Sequence, residues 1–202
     1  MDTLSYIFDY FKLNQNETSY PIALPNSRWD MGELLNSLGH KKGVEVGIYK
    51  GAFTASIARK APNTQIFGVD AWRVYPGYKD NEENDLESKA EAEAIRRTRE
   101  FPNIKLIKSW SLDAAKQFAD ESLDFVFIDA NHDYEHCKED IEVWNAKVRS
   151  GGLVMGHDYV VKKGVGVIQA VDEWVKKNSI SPLFTWTDRT PSWMYVKDKN
   201  IL

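Results

Sequence analysis

The sequence predicts an α/β domain of three layers, in which a largely parallel β-sheet lies between two layers of helices. Short apolar segments alternate with helix-like segments along most of the 202 residues, a pattern typical of parallel strands joined by helical crossovers. The last two apolar segments are separated only by residues 188–191, which are too few for a parallel crossover. We therefore predict a seven-stranded sheet with five parallel strands and a C-terminal antiparallel hairpin.

The N-terminal segment, residues 1–39, is predicted to be helical and to precede the sheet. Residues 3–13 have apolar side chains at helical spacing, and residues 29–38 repeat this pattern until Gly39 ends it. The two prolines between these helices indicate a loop. We expect the segment to serve as a substrate-side cap or an oligomer contact beside a main domain of residues 40–202.

In the main domain, short apolar runs predict strands and longer runs of helix-forming residues predict helices. The predicted strands are residues 44–48, 65–70, 103–108, 124–129, 153–158, 183–187 and 192–197. The predicted helices are residues 54–60, 85–100, 111–118, 134–149 and 164–177. The sequence Ser-Gly-Gly at 150–152 predicts a break before the fifth strand. Ligands bind such sheets beyond the carboxyl ends of the strands, so acids at those ends are candidate functional residues.

Composition and charge exclude several classes of protein. A formal net charge of -4 argues against general binding to nucleic acid, and no apolar run is long enough to span a membrane. The N-terminal residues include acids and lack the basic region of a signal peptide. Cys137 is the only cysteine, so an internal disulfide is excluded and a cytoplasmic location is expected.

A turn rich in glycine follows the first predicted strand, with the spacing E-x-G-x-x-x-G from Glu45 to Gly51. Gly47 allows a tight turn and a close approach of a ligand to the backbone, and Gly51 opens a helix whose N-terminal N–H groups are free. Dinucleotide-binding proteins have G-x-G-x-x-G instead. Because strand-to-helix turns also need glycine for structural reasons, the motif alone leaves a binding role and a structural role equally open.

Asp70 ends the second predicted strand. A carboxylate at this place, roughly 20 residues after a glycine turn, binds ribose hydroxyls in nucleotide-binding folds. The alternative is that Asp70 only caps the following loop, but its spacing from the turn favours binding of a nucleoside. Trp72 could pack on a purine or fill the core.

Four motifs together resemble class I S-adenosylmethionine-dependent methyltransferases: E-V-G-I-Y-K-G, G-V-D-A-W, F-I-D-A-N-H-D-Y-E and S-G-G-L-V-M-G-H-D-Y. The resemblance is greatest to the branch of metal-dependent small-molecule O-methyltransferases that includes macrocin-type sugar O-methyltransferases and cephamycin-pathway enzymes. It implies a Rossmann-like methyltransferase fold with S-adenosyl-L-methionine as cofactor. The cofactor-binding residues that it implies are Glu45, Gly47, Tyr49, Gly51, Asp70, Ala71, Trp72, Ser109, Trp110, Ser111 and Asp129.

Acid and imidazole side chains end two predicted strands that should be neighbours. Asp129 ends the fourth strand, and His157 and Asp158 end the fifth; adjacent strands lie about 4.8 Å apart, so these side chains can converge. Residues 127–136 include several acids and histidines but neither Lys nor Arg. A divalent cation, Mg²⁺ or Mn²⁺, held by Asp129, His157 and Asp158 would supply the missing positive charge. Without a metal, such an acid could cap the next helix.

His132 follows Asp129 by three residues, in the loop above the same site. The resemblance implies that this histidine is the general base that deprotonates the acceptor hydroxyl, and imidazole titrates near neutral pH as that role requires. A metal beside the hydroxyl oxygen would also lower the pKa of the hydroxyl. We therefore predict His132 and Asp129 as the catalytic residues.

The predicted function is metal-assisted O-methylation of a small hydroxylated acceptor, such as a sugar or glycosylated metabolite. Residues 75–78 could form a lid over the bound acceptor. The chain could also assemble as a homo-oligomer. A non-catalytic nucleoside-binding subunit is one alternative, but such a subunit needs neither a base nor a metal. A nicotinamide-dependent oxidoreductase is another, and the glycine spacing and the terminal hairpin argue against it.

Overall fold

The computed structural model describes residues 2–14, 16–17, 19–73 and 84–199, so the predicted lid at 75–78 lies outside the described residues. The strands are β1 (Ile22–Leu24), β2 (Lys42–Val46), β3 (Gln65–Asp70), β4 (Ile104–Lys108), β5 (Leu123–Ile128), β6 (Val148–Gly156), β7 (Phe184–Trp186) and β8 (Ser192–Val196). The α-helices are α1 (Thr3–Phe11), α2 (Met31–Ser37), α3 (Ala52–Lys60), α4 (Asn84–Thr98), α5 (Ser111–Ala115), α6 (Tyr134–Lys147) and α7 (Val167–Lys177).

The α/β fold predicted from the sequence is confirmed, but the strand count of seven is wrong. Within the described residues the sheet has eight strands in the order β1-β7-β8-β6-β5-β2-β3-β4. Strands β2 to β6 pair in parallel, and β7 and β8 form the antiparallel hairpin. The additional strand, β1, lies in the predicted loop and pairs with β7 in parallel, with Ile22 opposite Phe184. Parallel pairing therefore also extends beyond the five strands that were predicted. It was missed because it has only three residues, and its flanking prolines are compatible with an edge strand.

The predicted break at residues 150–152 is also wrong, because these residues lie inside β6. The register with β5 shifts here, so that Leu123 pairs with Val148 but Phe125 pairs with Leu153. The Gly151 N–H donates to the Lys197 carbonyl at 2.8 Å, which continues the pairing with the end of β8. The glycines therefore form an irregular, bulged stretch of strand rather than a connection between elements.

The sheet is covered on both faces by apolar side chains. On one face, Trp144 and Trp174 of α6 and α7 pack against the sheet. On the other face, α1, α2 and α3 pack against it, and Phe8 of α1 belongs to the same buried cluster as Phe184 of β7. The N-terminal segment thus shares a core with the sheet, and its role as a cap or oligomer contact stays a prediction. No helix in the described part of the chain could span a membrane.

Candidate active site

The carboxyl ends of the central strands meet at one edge of the sheet. Backbone hydrogen bonds hold this edge together: the Gly47 N–H donates to the Val69 carbonyl at 2.8 Å, and the Asp129 N–H donates to the Val46 carbonyl at 2.7 Å. The His157 N–H donates to the Ile128 carbonyl at 3.0 Å. The glycine turn and the acids that end the strands are therefore brought together, as the sequence predicts for a parallel sheet.

The turn from Gly47 to Gly51 connects β2 with α3. Gly47 has a φ of +87°, and a Cβ there would lie 2.1 Å from the Asp129 carbonyl oxygen. Gly51, which caps α3, has a φ of +70°. Tyr49 between them also has a positive φ, 48°, and its side chain is exposed. Gly47 is thus required by the close approach of the loop after β5, which is a structural reason independent of any ligand.

Asp70 links the loops that follow β2 and β3. One carboxylate oxygen accepts the Tyr49 N–H at 2.8 Å and the other accepts the Trp72 N–H at 2.7 Å. Burial raises the pKa of Asp70, and these two N–H groups act against the rise. The carboxylate thus caps both loops, but it retains acceptor capacity for ribose hydroxyls because each oxygen has a second lone pair.

The side chains next to Asp70 contribute mainly to packing. Trp72 is 6% exposed, and its ring lies in a small apolar cluster with Ile48 and Ala94. Its indole N–H donates to the Tyr49 carbonyl at 2.8 Å, so the ring fills the core rather than offering an open face to a purine. Ala71, the residue before it, is partly exposed.

The three residues after β4 divide between this edge and the core. The Ser109 N–H donates to the Asp70 carbonyl at 3.0 Å, so the backbone of Ser109 lies beside the predicted ribose position. Trp110 is the N-cap residue of α5 and is partly exposed. Ser111 is buried, donating to the Asp140 carboxylate and accepting from the Trp144 indole at 2.8 Å. The hydroxyl of Ser111 is therefore part of a core network.

Glu45 is the least satisfied acid at this edge. It is 2% exposed, and its Oε2 atom has no hydrogen-bond partner among the described residues. Burial raises its pKa to about 8. Buried polar atoms without partners are rare and costly, so an unpaired carboxyl oxygen beside the glycine turn indicates a ligand with a hydrogen-bond donor.

Two carboxylates and two imidazoles form a cluster where β5 and β6 end. The Nε2 atom of His132 lies 3.3 Å from Asp129 and 2.9 Å from Asp158. The Nδ1 atom of His157 lies 3.5 Å from Asp129 and 3.4 Å from Asp158. Single donor atoms of Asp129, His132 and Asp158 lie within 4.8 Å of one another, as a shared metal ion would require. The structure therefore places the predicted base, His132, closer to the two acids than the predicted ligand His157.

The carboxylates and the imidazoles of this cluster stabilise one another's charges even without a bound metal. Burial would lower the pKa of the imidazoles, but hydrogen bonds to Asp129 and Asp158 raise it to about 10 for His132 and about 9 for His157. Burial would raise the pKa of Asp158, yet the same contacts hold it well below its usual range. The pKa of Asp129 is lowered in the same way.

Arg28 also lies at this edge, although the sequence did not predict it there. It lies in a 3₁₀ turn, Arg28–Asp30, and its Nη1 atom is 3.6 Å from Oδ2 of Asp129. The prediction that the acids lack a protein cation is therefore wrong. No local pattern indicates this contact. Arg28 reaches the edge only because β1 pairs with β7 and because the backbone N–H of Arg28 donates to the Asp188 carboxylate at 2.7 Å.

Comparisons with known proteins agree with this architecture. Residues 44–159 match a family model described as "Methyltransferase domain". A "putative caffeoyl-CoA O-methyltransferase" from Staphylococcus aureus is similar in structure, with a TM-score of 0.63 and 17% identity over 96% of this chain and 98% of that chain. An O-methyltransferase from Bacillus cereus in complex with SAH gives a TM-score of 0.62 and 16% identity over 96% of this chain and 90% of that chain. At these identities the likeness shows a shared fold. No curated protein matches the chain by sequence.

Proposed function

Because this chain belongs to the Methyltransferase domain family, we propose that it is an S-adenosylmethionine-dependent O-methyltransferase acting on a hydroxyl group of a small molecule, such as a sugar or glycosylated metabolite. The observation that carries the proposal is that the glycine turn, Asp70 and the acid–imidazole cluster occupy one edge of the sheet. Both structural relatives are described as O-methyltransferases, and the complex of one with SAH supports the same cofactor class. The nicotinamide alternative is not retained, because the matched family is a methyltransferase domain.

The residues at the glycine turn fit S-adenosylmethionine, which when bound supplies the methyl group. The unpaired oxygen of Glu45 is available to a cationic amine, and such charge-assisted hydrogen bonds are the strong ones. Asp70 has acceptor capacity for the ribose hydroxyls beside the Ser109 backbone. These residues would thus hold and orient a nucleoside that carries an amino-acid group.

The acid–imidazole cluster fits a divalent cation. Two carboxylates and one imidazole are ligands that suit Mn²⁺, and the carboxylates alone suit Mg²⁺. The Oδ1 atom of Asp129 faces both imidazoles, whereas its Oδ2 atom faces the guanidinium of Arg28. Arg28 therefore supplies part of the positive charge at this carboxylate. A bound cation would supply further positive charge next to the acceptor oxygen, where it would favour loss of the hydroxyl proton.

His132 and His157 compete for the roles of base and ligand. A nitrogen that binds a metal cannot also accept a proton, and His132 reaches both acids through the single atom Nε2. We assign His157 as the ligand, because it directly follows β6 and its side chain is only 13% exposed. The His132 side chain is 25% exposed and lies in the loop after β5. It would take the hydroxyl proton once a cation on Asp129 and Asp158 offsets the negative charge that raises its pKa.

The first test is a calorimetric titration of the chelator-treated protein with S-adenosylhomocysteine, with and without Mg²⁺ or Mn²⁺. We expect the nucleoside to bind, and we expect a separate metal signal that is lost in Asp129→Ala. Binding of the nucleoside without methylation of any hydroxylated acceptor would favour a non-catalytic binding subunit. If the nucleoside does not bind under any condition, the proposed function is wrong.

Asp70→Asn tests the ribose site with a matched control. Asp70 and Asp124 each accept two backbone N–H groups, Asp124 from Lys41 and Lys42. Asp124 lies near the amino-terminal end of β5, at the edge of the sheet opposite the proposed site. A hydrogen bond to a charged group is worth about 1.5–3 kcal/mol, so Asp70→Asn should weaken binding of S-adenosylhomocysteine about 10- to 100-fold. Asp124→Asn, which also loses the ion pair of Asp124 with Arg149, should lose at least as much stability but keep the affinity. Equal affinities in the two variants would leave Asp70 only as a loop cap.

A further inference from the structure

Arg28 has an unused hydrogen-bond donor although it lies at the proposed active site. Its side chain is 16% exposed, and its Nη1 atom is buried without a hydrogen bond to any described residue. The ion pair with Asp129 does not satisfy this donor, because the separation of 3.6 Å exceeds a hydrogen bond. An unsatisfied, partly buried guanidinium is costly, so the geometry indicates that Arg28 has a second anionic partner.

Aromatic packing fixes the guanidinium of Arg28 beside the helix that the glycine turn opens. Its Cζ atom lies 4.9 Å from the centre of the Phe53 ring and 5.3 Å from that of the Trp29 ring. Phe53 is in the first turn of α3, two residues after Gly51. These cation–π contacts hold the guanidinium in a defined place without using its N–H groups.

The same aromatic contacts place Arg28 on the face of the sheet that carries Glu45. The Phe53 ring centre lies 4.6 Å from that of Phe127, and Phe127 is the register partner of Glu45 across β2 and β5. Val44 and Val46 belong to the cluster on the other face, so alternation along the strand directs Glu45 toward α3. A carboxyl group with one oxygen that lacks a hydrogen bond and a guanidinium with one nitrogen that lacks one therefore share one face at the end of β2.

We propose that Arg28 binds the α-carboxylate of the amino-acid part of S-adenosylmethionine, while Glu45 faces the α-ammonium group. This inference rests on the proposed function. A carboxylate and an ammonium on one carbon complement a guanidinium and a carboxyl group on one face, and a guanidinium binds a carboxylate through two N–H groups in a fixed geometry. An anionic group on the acceptor is the less favoured partner, because Phe53 and Gly51 place Arg28 beside the turn rather than in the loop of His132.

The test varies the carboxylate on the ligand and the guanidinium on the protein. S-adenosylhomocysteine and its decarboxylated analogue, which keeps the amine, are titrated calorimetrically into the wild type, Arg28→Gln, Arg28→Lys and Arg59→Gln. Arg59 is the matched control, because it is on α3 and its guanidinium packs on Phe101 at 5.4 Å, away from the turn. The wild type and Arg59→Gln should bind the carboxylate-bearing ligand at least about tenfold more tightly than the analogue.

In Arg28→Gln the two ligands should bind with similar affinity, and Arg28→Lys should retain part of the preference. Equal weakening of both ligands in Arg28→Gln would mean that Arg28 acts through Asp129, and unchanged affinities would assign it to the acceptor or to packing; either result overturns the inference but not the proposed function. If Arg28→Gln does not fold, a wild type that binds both ligands alike also overturns it. Failure of the wild type to bind either ligand would instead overturn the proposed function.

Discussion

At the scale of single residues, the assignments of His132 and His157 depend on which imidazole nitrogen meets the metal. Both side chains contact Asp129 and Asp158, so the distances alone permit either histidine as the ligand. The difference lies in their surroundings: His157 is fixed by the backbone pairing of β5 and β6, whereas His132 is the more exposed of the two. The roles can be separated by measuring metal affinity and turnover in the same variants.

We expect His132→Gln to keep the metal affinity and to lower turnover about 10²- to 10⁴-fold, the usual range for loss of a general base. His157→Gln should weaken Mn²⁺ binding, because it removes a ligand. Metal affinity is measured by calorimetry, and turnover is measured at saturating metal with a hydroxylated acceptor that the wild type methylates. If His132→Gln loses metal affinity while His157→Gln does not, the two assignments must be exchanged.

His40 provides a prediction about stability and pH that is independent of the active site. It is 2% exposed, its ring stacks on Phe125, and neither ring nitrogen has a hydrogen-bond partner in the described part of the chain. Burial lowers the pKa of His40 from 6.5 to about 4. Between these values the unfolded chain binds a proton that the folded protein excludes, so this histidine makes stability fall as the pH decreases from about 6.5 toward 4.

In His40→Leu this contribution, about 3 kcal/mol at most, should be absent. Free energies of unfolding from urea titrations between pH 4 and 7.5 give the comparison. The variant and the wild type should differ in slope below pH 6.5 and run parallel above it, whatever their absolute difference. Parallel curves over the whole range would show that His40 is protonated in the folded protein or reaches water.

The residues whose place at this edge could be predicted and those whose place could not differ in the kind of contact that positions them. The edge at which Gly47, Asp70 and Asp129 meet could be predicted, because it follows from the end of each strand and the parallel direction of the sheet. The unpaired oxygen of Glu45 could not be predicted, because whether that oxygen finds a hydrogen-bond donor depends on neighbours from other elements. Arg28 was missed for the same reason: its contact with Asp129 joins residues separated by about half of the chain and has no local pattern.

At the scale of elements, the hairpin of β7 and β8 positions the N-terminal segment over the site. β1 pairs with β7, and Asp188, in the turn between the hairpin strands, accepts the Arg28 N–H at 2.7 Å. The sequence predicted the hairpin from its short connection, but it could not predict β1 or the irregular register of β6, because both depend on which strands become neighbours. The long-range pairings therefore determine where Arg28 lies.

Asp188→Ala tests this link between the hairpin and the N-terminal segment. Removal of the carboxylate leaves the partly buried backbone N–H of Arg28 without its acceptor. This should lower the free energy of unfolding by about 1–3 kcal/mol. Urea unfolding measures the loss. Arg189→Ala, an exposed neighbour in the same turn, serves as the control and should change stability by less than about 0.5 kcal/mol. Equal stability of Asp188→Ala and the control would mean that water replaces the carboxylate at no cost.

At the scale of the whole molecule, the question is whether residues 1–39 fold separately from the rest. α1 packs on the sheet: Ile7 is fully buried, and the Phe8 ring lies 5.8 Å from that of Phe184 in an edge-on arrangement. The Thr3 hydroxyl also donates to the Gly151 carbonyl at 2.7 Å, across the irregular part of β6. These contacts make the N-terminal helix part of the layer that covers one face of the sheet, so its loss would expose apolar strands.

Phe8→Ala should therefore destabilise the entire described domain rather than α1 alone. Truncation of a buried Phe costs about 3–5 kcal/mol, and Phe8 at 9% exposure should lie near the lower limit. Urea unfolding followed by tryptophan fluorescence and by far-ultraviolet circular dichroism should give one coincident transition, shifted to lower urea. Asp9→Ala, on the exposed side of α1, should leave the midpoint almost unchanged. An early separate transition in Phe8→Ala, with the main midpoint preserved, would show that the N-terminal segment unfolds independently and that the sheet is stable without it.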